Sequence, residues 1–145
     1  MAFVNEYVIP EEDYEKYDLR KICGEHNLPW RGIMHSRDWT VDRDREAFLI
    51  KTWSHQESRF EGYAFYWKGA WMFFEMQITE GESNYKTNPD NASCWYRWLV
   101  KDFVIPSELE AKRDELMSDL QAAITQKPGS ATVDYTHRSA TIEFI

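Results

Sequence analysis

The sequence predicts an α+β fold, an antiparallel β-meander of about four to six strands with one long amphipathic C-terminal helix packed on a face. Three observations predict it. Residues 60–78, FEGYAFYWKGAWMFFEMQI, place two aromatic-rich runs around Lys68-Gly69, a tight-turn pair. Residues 107–125 carry an apolar stripe at helical spacing, Leu109, Leu116, Leu120 and Ile124 with Met117. The remaining apolar segments are short and alternate at period two.

Phe3 to Ile9 alternates as a short strand that Pro10 ends. The acidic run from Glu11 to Asp18 reads as a short helix or turn that stops at Gly24, and residues 27–32 read as loop. Asp38 to Val41 is expected as strand and Asp42 to Arg45 as a polar turn. Ala47 to Ser54 follows as strand, with Phe48 and Ile50 on one side and Leu49 and Trp53 on the other.

Glycine supplies the positive φ of a two-residue turn, so Lys68-Gly69 fixes a register. Trp67 pairs with Ala70, Phe65 faces Met72, Tyr63 faces Phe74 and Glu61 faces Met76. On the other side Tyr66 meets Trp71, Ala64 meets Phe73 and Gly62 meets Glu75.

Residues 80–92 are polar, with Asn88-Pro89-Asp90, and are expected as a mobile loop. Cys94 to Val104 fits helical spacing, but its Trp, Tyr and Val content favours strand. Ser107 and Glu110 match a capping box at the start of the helix, and Pro128-Gly129 stops it. The tail returns to strand chemistry. One domain spanning residues 1–145 is expected, with no repeat and no low-complexity tract.

The net charge of -8 argues against nucleic acid and anionic membrane, and permits a basic protein partner. The amino-terminal residues lack a basic segment followed by a long apolar run, so a soluble cytoplasmic protein is expected. Cys23 and Cys94 have no metal-ligand spacing. No HExxH, CxxC, GxSxG or Gly-rich loop is present, so no metal or cofactor is expected.

Two groups of residues bear chemistry. His35 with Asp38, or His55 at a strand end, would serve a small hydrolase as general base. Tyr66, Trp71, Phe73 and Glu75 would form an aromatic patch with a carboxylate on the second hairpin face, with Arg97 or Lys51 as the partner of Glu75. Asp42 and Asp44 would add an acidic docking turn. A single helix stripe is narrow, so part of that second face is expected to stay open.

The leading expectation is an acidic binding or inhibitory module that masks a partner protein, like immunity proteins, antitoxins or anti-defence proteins in type. A hydrolase is the alternative. A third is a structural or assembly subunit, a homodimer that buries its spare aromatic face against itself, with Ile142 to Ile145 as a further edge strand for pairing between chains.

Overall fold

The computed structural model describes residues 3–5, 9–25, 39–53, 60–83, 93–126 and 138–145. The chain begins with β1 (Val4–Asn5), α1 (Glu11–Lys16) and α2 (Leu19–Glu25). The strands β2 (Trp39–Asp42), β3 (Ala47–Trp53), β4 (Glu61–Trp67), β5 (Ala70–Ser83) and β6 (Ser93–Lys101) follow. A 3₁₀ turn (Ser107–Lys112) leads into α3 (Arg113–Gln126), and β7 (Arg138–Phe144) comes last.

Among the described residues seven strands lie in one sheet in chain order. Neighbours are antiparallel from β1 to β6, and β7 runs parallel to β6. The fold is therefore α+β with a mostly antiparallel sheet. The expected meander of four to six strands is corrected in its count and in its last step. A parallel neighbour needs a crossover, and the helical segment between β6 and β7 supplies one.

The hairpin has the register that the Lys68-Gly69 turn dictates, from Trp67 opposite Ala70 to Glu61 opposite Met76. Both turn residues are left-handed, Lys68 at φ 46° and Gly69 at φ 96°. That pair of angles matches the right-handed twist of the flanking strands. β5 is longer than the alternating pattern indicated. It pairs with β6 as far as Ser83 opposite Ser93, so residues 80–83 are strand rather than the start of a loop, and 84–92 lie outside the described residues. Strand chemistry prevails over helical spacing from Ser93 to Lys101.

The sheet separates two cores. Ala47, Leu49, Phe65, Trp67, Met72, Phe74, Met76, Trp98 and Val100 face α3, whose Leu116, Leu120, Ala123 and Ile124 are fully buried against them. Leu109 and Met117 pack at the margin of this cluster. The capping box does not form. Pro106 occupies the cap position without a side-chain bond, and residues 107–112 wind as 3₁₀.

The opposite face carries Trp39, Val41, Phe48, Ile50 and Ala64 beneath Ile9, Tyr17, Leu19 and Cys23. The second face is thus substantially covered by α1 and α2, which an argument from the C-terminal helix alone does not anticipate. Acids fill the first turn of α1, where the helix dipole favours them. No helix of the described residues is long and apolar enough to cross a membrane.

Candidate functional site: an aromatic row bordered by carboxylates

β4 and β5 set side by side the aromatics that the register puts on one face. Tyr66 and Trp71 are opposite each other, with ring centroids 5.4 Å apart in an edge-to-face arrangement. Phe73 continues the row, 6.3 Å from Trp71 and nearly parallel to it. All three are half-buried. Trp71 donates its indole Nε1–H to the backbone oxygen of Tyr17 at 3.0 Å, which fixes its ring plane. Tyr17 is fully buried, stacked 4.9 Å from Phe48 and edge-on to Tyr66 at 5.0 Å. Side chains held in this way lose little further freedom when a partner covers them.

One end of the row is acidic. Burial raises the pKa of the Tyr66 phenol, and the charges of Glu46 and Asp18 raise it further, so both carboxylates lie within electrostatic reach of that hydroxyl. Asp18 directly follows Tyr17. Glu46 adjoins the hairpin turn, because its carbonyl accepts the Lys68 N–H at 2.9 Å. Both residues sit at positive φ, Asp18 at 53° and Glu46 at 55°, and both are exposed. Glu11, Glu12 and Glu15 on α1 and Asp44 on the β2–β3 turn are exposed as well. A shallow depression of about 430 Å³, lined by Glu11, Glu12, Tyr14, Glu15 and Arg20, lies along α1.

The far end of the row is neutralised within the chain. Glu75 meets Lys101 at 3.7 Å. The expected partners are engaged elsewhere, Arg97 in a two-pronged contact with Glu143 and Lys51 with Glu61 at 3.3 Å. Lys101 lies directly opposite Glu75 across the β5–β6 ladder, whereas Arg97 lies opposite Thr79. Glu75 therefore already has a cation at hand.

Asp42 is the clearest departure from the expected acidic turn. Its side chain has 0% exposure, and its Oδ1 accepts the N–H groups of Asp44 and Arg45, both at 3.1 Å. It shapes the turn from below. Asp44 is the exposed member of the pair. His35, Asp38 and His55, the hydrolase candidates, lie outside the described residues. Among the described residues no group of three or more His, Cys, Asp or Glu is placed to hold a metal ion.

Sequence reasoning missed the convergence of Asp18 and Glu46 on Tyr66. The signal was weak, since 28 residues separate them and only the covering of β3 and β4 by α1 and α2 brings them together. No protein-family model, curated protein or solved structure matches this chain, so function is read from the site itself.

Proposed function

We propose that this chain is an acidic binding protein that masks a basic partner protein, acting in the cytoplasm in the manner of an immunity protein, antitoxin or anti-defence inhibitor. The observation that carries the proposal is the half-exposed Tyr66–Trp71 pair, packed on Tyr17, with exposed Asp18 next to Tyr17 in the chain and exposed Glu46 hydrogen-bonded through its carbonyl to the hairpin turn. Tyr and Trp are enriched among residues that dominate binding energy, and carboxylates beside them favour arginine or lysine on the partner. The net charge of -8 adds long-range attraction for such a partner.

The test is capture from native lysate with the wild-type chain, followed by kinetics on the partner identified. Reversing Asp44 and Glu46 to lysine is expected to slow association and flatten its salt dependence, leaving dissociation little changed. An unchanged association rate would remove the acidic border from the account. Asp42 is not a suitable position for this test, because its carboxylate holds the turn.

Self-association is a second reading, favoured by a separate observation. Val104, Phe144 and Ile145 are the exposed large hydrophobics among the described residues, at 74%, 40% and 65%. Phe144 packs on Phe103 at 5.9 Å, and β7 is the last strand of the described sheet. Edge strands next to apolar surface pair readily with other chains.

A further inference from the structure

Two turns meet at one end of the sheet. The β2–β3 turn, residues 43–46, is closed by the Asp42–Ala47 pair, and Ala47 pairs in turn with Trp67, the last residue of β4. The Glu46 carbonyl accepts the Lys68 N–H at 2.9 Å, so this turn is bonded directly to the hairpin turn. Side chains from the two turns reach both covering layers. On one face Arg43 pairs with Asp13 of α1 at 2.8 Å. On the other, Arg45 pairs with Asp119 of α3, Trp67 Nε1–H donates to the same carboxylate at 2.8 Å, and Lys68 meets Glu115 at 3.5 Å.

The two arginines do not adjust separately. One buried carboxylate, Asp42, accepts the backbone N–H groups of Asp44 and Arg45 through Oδ1, each at 3.1 Å. Its Oδ2 lies 3.7 Å from Arg45 Nε. Glu46 closes the turn at φ 55°, a backbone setting that persists in a residue with a side chain where the surroundings over-determine it. Asp13 and Asp119 are both buried, so each depends on its guanidinium being where the turn puts it. A rotation of the turn that frees one arginine therefore displaces the other.

We propose that the β2–β3 turn couples the two covering layers, so that α1 and α3, on opposite faces of the sheet, are energetically linked through Arg43, Asp42 and Arg45. Once either helix is released from the turn, the turn is freer, and the remaining arginine holds its aspartate less well. Sites that share no partner act additively, so the link shows as a departure from additivity. The exposed Asp44 and Glu46 belong to the same turn. One consequence rests on the binding proposal above: a basic partner seated on them is felt by both layers at once. The coupling itself is a property of the isolated chain and is measured without any partner.

The test is a double-mutant cycle on the full chain, with unfolding constants taken from urea titration. Asp13→Asn breaks one link. Asp119→Asn breaks the other and keeps a carbonyl oxygen for Trp67 Nε1–H. Each single variant is expected to raise the unfolding constant by about tenfold or more. The double variant should fall short of the product of the two rises by more than about twofold, the limit within which independent sites combine. Direct repulsion between the two aspartates acts in the opposite sense, because the product counts its relief twice. As a control, Thr40→Val removes the bond from β2 to the Ala123 carbonyl of α3 without touching the turn. Paired with Asp13→Asn, it should give the full product. Should the double variant fail to fold, hydrogen exchange of Asp13→Asn alone decides. The Trp67 indole N–H, on the far face, should then exchange faster by more than the rise in that variant's global unfolding constant. A double variant within about twofold of the product or above it, an equal shortfall with Thr40→Val, or Trp67 exchange that only follows global unfolding would overturn the proposal.

Discussion

Arg43 and Arg45, two residues apart in the β2–β3 turn, reach opposite sides of the sheet and each grips a buried aspartate on a different helix. Arg43 bonds Asp13 of α1 at 2.8 Å, and Arg45 bonds Asp119 of α3. Asp44 and Arg45 donate their backbone N–H groups to Asp42, which keeps the turn in the geometry that splays the two guanidinium groups apart. One four-residue turn thereby ties both covering layers to the sheet. These arginines, which in the sequence only dilute an acidic run, are the connectors between the two cores.

The Asp119 contact should matter more than a surface ion pair. Asp119→Ala leaves the Trp67 indole buried without an acceptor and Arg45 with only its longer contact to Asp42, at 3.7 Å. The expected loss is about 2–4 kcal/mol of stability, read as a lowered urea midpoint. Arg45→Met should cost less, because Arg45 is half-exposed and can be replaced in part by water.

Gly69→Ala separates backbone strain from packing. A Cβ at Gly69 meets nothing within 4 Å, so the whole effect comes from its φ of 96°. Thermal unfolding should show a loss of roughly 1–2 kcal/mol. A neutral result would mean that the turn relaxes to another type.

Tyr17 gives a prediction of opposite sign. Its buried hydroxyl has no hydrogen-bond partner, so Tyr17→Phe should be neutral or stabilising by about 1 kcal/mol at neutral pH. Burial, followed by the charge of Asp13, holds the folded-state phenol pKa well above its ordinary value. A raised pKa means that the folded state keeps a proton the unfolded chain releases. Stability is thus fully present below the ordinary phenol range, near pH 10, and declines as pH rises above it. Tyr17→Phe should flatten that alkaline decline in urea titrations, with the raised Tyr66 phenol accounting for part of what remains.

Self-association through the β7 edge predicts a mass that rises with protein concentration in light scattering. Phe144→Lys should return the chain to a monomer without lowering its stability by more than about 0.5 kcal/mol in urea unfolding, as for exposed positions generally. A concentration-independent monomer would remove this reading.

The sequence was most legible where local chemistry alone sets geometry. The Lys68-Gly69 turn fixed seven opposed pairs, because a two-residue turn leaves no freedom of register. The stripe of Leu116, Leu120 and Ile124 identified the buried side of α3. Long-range choices were not legible. Nothing local distinguishes Asp42, buried beneath its turn, from Asp44, exposed above it. Burial of Asp13 and Asp119 depends on arginines 30 and 74 residues away. The direction of β7 is set by the helical crossover rather than by residues 138–144 themselves. Half of the aromatic site was legible, since pairing gave the Tyr66–Trp71–Phe73 row. The carboxylates that border it come from a helix connection and a turn that only the tertiary fold unites.

The most direct test of a masking role is the association rate of the wild-type chain with a partner captured from native lysate, compared with Asp44→Lys/Glu46→Lys and, separately, Trp71→Phe. The account predicts slower, less salt-sensitive association for the charge-reversed chain and faster dissociation for Trp71→Phe, with the fold retained in both. A partner bound with unchanged rates by both variants would contradict the account.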